Sequence, residues 1–159
     1  QPTPEAAWAH VEELAHRDRP DEVAVSMLNC ALYDGDGKRR LHWDYRPEWG
    51  GYTYLCNPDP ELAGIGGGIN RFTLTYEREV SEVNKLGLDG MRYDNPIVFS
   101  TDNFRREHFQ WADHPLVFDH RSKRPVICLD FSSFECAKAI ADDMHNCGKL
   151  VGANYTPVA

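Results

Sequence analysis

Several residue clusters have types and spacings that could support metal or phosphate binding. Histidines recur at intervals of six, at His108, His114 and His120. Three imidazoles can bind zinc, but this interval places them on no shared helical face. The acidic run 34–37 lacks the later ligands of a calcium-binding EF-hand loop, and the glycine-rich run 64–68 lacks the lysine of a P-loop. We therefore expect loop histidines, a tight turn and a surface loop, with no metal site and no cofactor.

Five cysteines are the strongest indication of the compartment, because disulfides persist mainly outside the reducing cytosol. They are Cys30, Cys56, Cys128, Cys136 and Cys147. Cys136 and Cys147 fall on one predicted helix, about 16 Å apart along its axis, and a disulfide needs Cα atoms within about 7 Å. We expect two disulfides and one free thiol, with the partners open. The alternative is five buried thiols in a cytosolic protein.

Both ends of the sequence carry features that are typical of exported proteins. The chain begins Gln1-Pro2-Thr3-Pro4 without methionine, as a mature secreted protein does after its signal peptide is removed. Asn154-Tyr155-Thr156 is an N-glycosylation sequon, which makes Asn154 a glycosylation candidate. We therefore predict a secreted, extracellular protein.

The order of a few polar residues resembles that of microbial ribonucleases of the barnase and T1 type. These are Tyr76-Glu77, the segment 97–100 and Asp113-His114. The resemblance implies a strand glutamate as general base and a late histidine as general acid, which would be Glu77 and His114. The arginine of that family falls at Asn95 or Pro96 here. A ribonuclease, or a ribonuclease-like pseudo-enzyme, is therefore an alternative function.

A basic and aromatic patch stands out in this acidic protein. Arg105 and Arg106 lie close in sequence to Phe109 and Trp111. Aromatic and arginine side chains are enriched at binding hot spots, so these four are interaction candidates. The alternative is a loop whose aromatic rings cover the sheet.

The elements that must position these residues follow from hydrophobic spacing. A helix begins after the Thr3 N-cap and buries Trp8 and Val11, and a second begins at a capping box from Ser132 to Glu135. Apolar, β-forming composition predicts strands over 22–33, 38–45, 96–100 and 125–130, and alternation predicts strands over 51–56 and 71–80. We expect a single domain over 1–159 of the α+β class, with an antiparallel sheet of four to five strands packed with helices and held by disulfides.

The composition of the chain limits the kinds of binding partner that we expect. The chain has 159 residues, which suits one domain, and a formal net charge of −8. A strongly acidic surface disfavours nucleic acid and anionic membranes, and the sequence lacks a long apolar run. Nucleic acid is therefore an unlikely partner, and we expect no membrane association.

The layout of a leading helix, an antiparallel meander, a late helix and a few cysteines resembles secreted avirulence effectors of plant-pathogenic fungi. It is similar in size and layout to the Leptosphaeria avirulence-suppressing structural family. The resemblance implies a non-catalytic virulence effector that acts on host proteins in the extracellular space, such as the apoplast. It carries over no functional residue.

Overall fold

A computed structural model of the chain describes residues 2–44, 51–64, 68–94 and 101–154. Helices and short strands are mixed along the chain, which confirms the α+β class. The described strands form three small sheets of two or three strands each. The larger sheet of four to five strands is therefore not found in this part of the chain.

The N-terminal region is a pair of helices. Helix α1 (Pro4–Ala15) begins as predicted, with the Thr3 hydroxyl accepting a hydrogen bond from the Ala6 amide. Helix α2 (Glu22–Cys30) lies where a strand was predicted. Its valines favoured a strand, but the Asp21 carboxylate accepts the Ala24 amide at 2.9 Å and starts a helix that packs on α1.

A tight turn leads from the helix pair into a hairpin. One Asp34 carboxylate oxygen accepts the amides of Asp36 and Lys38, both at 2.9 Å. Gly37 has a φ of 79°, which an L side chain rarely adopts, so the turn prediction is confirmed. Strands β1 (Leu41–Asp44) and β2 (Gly51–Tyr54) then pair antiparallel.

The predicted strand over 71–80 is wrong, because this segment is helical. A 3-10 helix (Pro60–Gly64) precedes a π-helical turn (Thr73–Glu77), which continues into helix α3 (Arg78–Lys85). Asn70 starts the turn, since its side-chain oxygen accepts the Thr73 amide at 2.7 Å. Phe72 and Tyr76 are four residues apart, a spacing that suits a helix as well as a strand, and their rings lie 4.7 Å apart.

The second half contains the remaining elements. They are β3 (Gly90–Asp94), β4 (Asp102–Asn103), a 3-10 helix (Arg106–Trp111), β5 (Val117–Phe118), β6 (Pro125–Cys128), helix α4 (Leu129–Asn146) and β7 (Leu150–Asn154). Strands β4, β6 and β5 form an antiparallel sheet in that order, and β3 pairs with β7 in parallel. The strand predicted over 96–100 lies outside the described residues.

Helix α4 starts earlier than its predicted capping box. Cys128 is the N-cap residue and makes no side-chain capping bond, so Ser132 lies inside the helix. The buried stripe runs in steps of four, at Ser132, Cys136, Ile140 and Met144. Phe134, an apolar residue inside the predicted capping box, is 60% exposed because the helix turns that face to solvent.

All five cysteines lie among the described residues, and none of them forms a disulfide there, which corrects the expectation of two. All five cysteines are unpaired, and two of them, Cys30 and Cys136, are buried. Cys136 belongs to a core cluster with Tyr76 and Ile140, whereas Cys147 is exposed at the end of α4. Distance along α4 separates these two cysteines as the sequence predicted.

Two apolar clusters form the core. One joins α1 and α2 with the hairpin through Trp8, Val11 and Tyr54. The other joins the π-helical turn to α4, and the Tyr76 hydroxyl donates to the Ile140 carbonyl at 3.1 Å. The 3-10 helices that follow Asp59 and end at Trp111 contact each other, and they also contact α4 and β6, respectively.

Candidate functional site

Buried polar atoms without a partner are concentrated in one region. The described residues contain nine such side-chain atoms. Six belong to three short segments, 59–61, 111–114 and 131–136: Asp59 Oδ2, Trp111 Nε1, His114 Nε2, Ser132 Oγ, Ser133 Oγ and Glu135 Oε2. The 3-10 helices that carry the first two segments contact each other, and the first also contacts α4. Because buried polar groups are normally hydrogen-bonded, this concentration indicates a site that binds a ligand or water.

Asp59 lies at the base of this region, and its local sequence holds it there. Pro58 and Pro60 fix the backbone on either side, and the Asn57 side-chain oxygen accepts the Asp59 amide at 3.1 Å. One Asp59 oxygen, Oδ1, accepts the Glu61 amide at 2.9 Å, and the other is unpartnered. Asp59 is only 1% exposed, and burial raises the pKa of its carboxyl to about 7.

Glu135 approaches from the second turn of α4. Burial, followed by the charge of Asp113, raises the pKa of the Glu135 carboxyl to about 7. The backbone amide of Asp113 donates a hydrogen bond to this carboxyl and partly opposes that rise. Glu135 is half-buried, whereas Asp59 is fully buried, so the two carboxyls lie at different depths in one acidic region.

The Asp59 and Glu135 carboxyls interact electrostatically with two other carboxyls, those of Glu61 and Asp113. The negative charges of Glu135, Glu61 and Asp113 all raise the pKa of Asp59. Glu61 and Asp113 are exposed, so the acidic region opens to solvent on their side. With a pKa of about 7, the Asp59 and Glu135 carboxyls are each partly protonated near neutral pH. Such a pair can donate one proton and accept another.

Aromatic rings border the acidic region. The His114 and Phe131 rings lie 5.0 Å apart, and Phe131 is 48% exposed. Trp111 is half-buried with its indole N–H unpartnered. These groups offer an apolar surface and two ring nitrogens next to the carboxyls.

A buried histidine, His108, holds the 3-10 helix Arg106–Trp111 in place. The His108 Nε2–H donates to the Asn29 carbonyl at 2.8 Å, and the Asn103 amide donates to Nδ1 at 3.0 Å. Burial lowers the pKa of His108 to about 3, so the ring is neutral. His108 is therefore a structural residue, and not one of a set of loop histidines.

The interaction candidates do not form one free patch. The Arg105 guanidinium donates to the carbonyls of Leu28 and Asn29 at 2.7 and 3.0 Å and caps the end of α2. Arg106 is exposed, and Phe109 is half-buried like Trp111. Arg105 therefore has a structural role, and only Trp111 of this group borders the acidic region.

The structure places the two candidate ribonuclease residues, Glu77 and His114, in different surroundings. Glu77 ends a π-helical turn and lies on no strand, so the strand that the resemblance requires is absent there. His114 belongs to the acidic region and forms a weak contact with Pro115, whose carbonyl lies 3.2 Å from Nδ1. Asn154 ends β7, and the rest of its sequon lies outside the described residues.

A second feature is an open groove between α1 and the hairpin. It has a volume of about 1110 Å³. Its aromatic lining consists of Trp8, Tyr33, Trp43, Tyr52 and Phe104. The Trp43 and Tyr52 rings meet edge to face at 4.9 Å, and the Tyr52 hydroxyl donates to the Pro2 carbonyl at 2.9 Å. Pockets lined by aromatic side chains are common at ligand-binding sites.

The described residues contain neither a cluster of metal ligands nor a helix that could span a membrane. None of the histidine, cysteine and acidic side chains there are grouped so that three or more could hold a metal ion. In the same part of the chain, every helix is too short or too polar to cross a membrane.

Comparison with known proteins identifies no relative. No protein-family model matches the chain, and neither the curated proteins nor the solved structures contain a significant match. The resemblances to effectors and to ribonucleases therefore stay predictions.

The sequence alone does not single out Asp59 and Glu135 as chemical groups. The signal available for Asp59 is its position between Pro58 and Pro60, which gives the carboxylate a rigid backbone. Glu135 falls in the predicted capping box, which gives its carboxylate a structural role. Their proximity depends on contacts between distant segments, which one sequence does not reveal.

Proposed function

We propose that Asp59 and Glu135 are the acid–base pair of a hydrolytic site that acts on uncharged polar substrates. The observation that supports this proposal is the pair of coupled carboxyls, each with a buried oxygen that lacks a hydrogen-bond partner. A general acid or base works best when its pKa is near the operating pH, and burial brings both groups there.

In the proposed reaction, one of the two carboxyls acts as the general acid and the other as the general base. The protonated carboxyl donates its proton to the leaving group, while the ionised one accepts a proton from the attacking water. The surrounding carboxyls of Glu61 and Asp113 repel anions, so phosphate esters are poor substrates. The rings of Phe131 and His114 offer an apolar face for the uncharged part of a substrate.

The test is hydrolysis of a panel of 4-nitrophenyl esters, amides and glycosides, with 4-nitrophenyl phosphate as the anionic comparison. We expect turnover of an uncharged substrate with a rate maximum near pH 7, since activity needs one protonated and one ionised carboxyl. Asp59→Asn and Glu135→Gln should each lower kcat/KM by about 100-fold or more.

Glu61→Gln is the matched control, because the Glu61 side chain is exposed and its charge raises the pKa of Asp59 and of Glu135, while its backbone amide bond to Asp59 is kept in the variant. It should keep activity and move the rate maximum to lower pH. Full activity in Asp59→Asn would refute the proposal.

The aromatic groove supports a second candidate function, a secreted effector that binds a host protein without catalysis. A peptide segment of a partner could pack on Trp43 and Tyr52, which are only half-buried. Aromatic side chains dominate binding energy at many interfaces, so truncation of one should matter.

Selection of displayed peptides against the protein would test this candidate. Peptides that bind the groove should lose about tenfold or more in affinity for Trp43→Ala, and Asp59→Asn should bind them normally. Phe118→Ala is the control, since Phe118 is 70% exposed and does not line the groove. Equal binding to all variants would exclude the groove as the binding surface.

A further inference from the structure

The aromatic groove between α1 and the hairpin already holds a proline segment of this chain at one edge. Pro4 lines the groove, and the Tyr52 hydroxyl donates to the Pro2 carbonyl at 2.9 Å. Thr3, between these prolines, has a φ of −72° and a ψ of 160°. These angles are close to the polyproline II values of about −75° and +145°. A residue with polyproline II backbone therefore follows directly on a carbonyl that an aromatic side chain of the groove binds.

Two aromatic rings of the groove offer further contact surface. Trp43 on β1 is opposed to Tyr52 on β2, and both side chains are half-buried. Their planes meet at 77°, so the two rings form a corner. Proline rings are apolar and compact, and proline-rich segments characteristically dock in grooves lined by aromatic side chains.

The groove also contains hydrogen-bond donors without a partner. Trp8 and Arg39 both line it, and Trp8 Nε1 and Arg39 Nε are buried and unpartnered. The Arg39 guanidinium lies over the Trp8 ring, 5.3 Å from the ring centroid, so a carbonyl reaches these donors when Arg39 shifts. A polyproline II backbone has no internal hydrogen bonds, and its carbonyls are free to accept them.

The charged side chains of the groove balance one another. Among the described residues that line it, three are acidic and three are basic: Glu5, Glu12, Asp34, Lys38, Arg39 and Arg40. Glu12 and Arg39 form an ion pair at 2.5 Å. The lining therefore has no net charge, although the whole chain carries −8. A segment without net charge is the electrostatic match, and proline is uncharged.

We propose that the groove binds a proline-rich segment of a partner protein in the polyproline II conformation. This inference rests on the second candidate function above, peptide binding in the groove, and names the class of peptide. Prolines of the ligand pack on Trp43 and Tyr52, and its carbonyls accept hydrogen bonds from the groove. Such a segment has its bound conformation before it binds, so it loses little conformational entropy.

The experiment is fluorescence anisotropy of labelled decaproline titrated with the full chain. A glycine–serine peptide of the same length is the flexible comparison, and labelled chitohexaose represents neutral oligosaccharides, which also pack on aromatic rings. We expect decaproline to bind at least about tenfold more tightly than either of them. Binding of chitohexaose without binding of decaproline would make the groove a carbohydrate site and refute the proposal.

Variants of β1 locate the binding surface. Trp43→Ala should weaken decaproline binding by about tenfold or more, and Trp43→Phe, which keeps an aromatic ring and serves if the alanine variant does not fold, should weaken it less. His42→Ala is the matched control, because His42 precedes Trp43 on the same strand but is exposed and does not line the groove. Its affinity for decaproline should equal that of the wild type.

Two results would overturn the inference. One is equal affinity for decaproline and the glycine–serine peptide, and the other is unchanged decaproline binding in a folded Trp43→Ala variant. If displayed peptides without proline bind through Trp43 and decaproline does not, this inference fails while the peptide-binding function stands. If no peptide binds through Trp43, both fail.

Discussion

Asp59 and His108 respond to pH in opposite directions, although both are buried in the same part of the protein. Burial raises the pKa of Asp59 from 3.8 to about 7, so the folded protein holds this proton when the unfolded chain has released it. The contribution of Asp59 to the free energy of unfolding is therefore lost as pH rises toward 7. Burial lowers the pKa of His108 from 6.5 to about 3, so stability is lost as pH falls below 6.5.

These opposing effects lead to a prediction for the free energy of unfolding between pH 4.5 and 6.5. Each buried group contributes a slope of at most about 1.4 kcal/mol per pH unit, and the two slopes oppose each other. The free energy of unfolding of the wild-type protein should therefore vary little with pH in this range. Asp59→Asn should become less stable as pH falls, and His108→Gln should become less stable as pH rises, each by about 1 kcal/mol per pH unit.

Urea unfolding at three pH values would measure these slopes. Glu135 adds a smaller contribution with the same sign as Asp59, because it is more exposed. His120→Gln is the control, since the His120 side chain is 81% exposed, and its curve should match the wild type. Parallel curves for the Asp59 and His108 variants would show that burial does not control these pKa values.

At the scale of elements, β3 and β7 pair so closely at Gly90 and Leu150 that there is no room for a side chain at Gly90. A Cβ atom on Gly90 would lie 2.2 Å from the Leu150 carbonyl oxygen, a contact that the backbone cannot accommodate. Gly152 on the same sheet has nothing within 4 Å of such an atom. The parallel pair therefore depends on the absence of a side chain at one specific position.

Gly90→Ala should lower the free energy of unfolding by about 1–3 kcal/mol through this overlap, and chemical denaturation would measure it. Gly152→Ala makes the same chemical change in the partner strand without a clash, so its effect should be clearly smaller. Equal effects of the two substitutions would mean that strand propensity, and not the close approach, determines the cost.

Elements with a strong local signal were predicted correctly, and those that depend on packing were not. The Thr3 cap defined α1, and the Asp34 turn followed from its Asp-Gly sequence. For the segment 71–80, alternation and helical spacing both fitted, and the Asn70 cap was not recognised. The valine-rich stretch that became α2 shows that composition is outweighed by a cap and a neighbouring helix.

At the scale of the whole molecule, the mixed fold class was predictable but the arrangement of its strands was not. Local alternation cannot distinguish parallel from antiparallel pairing, and the parallel pair of β3 and β7 depends on α4 returning the chain between them. The acidic site was hidden for the same reason, since Asp59 and Glu135 are distant in sequence and meet only through packing.

Arg105 has a consequence for the order in which the protein matures during synthesis. Its guanidinium satisfies carbonyls at the end of α2, and the contact with Leu28 spans 77 positions of sequence. A ribosome adds about 5–20 residues per second, so the first helix pair waits several seconds for this partner. During that interval the carboxyl end of α2 faces water, and the nascent N-terminal region is open to chaperones and proteases.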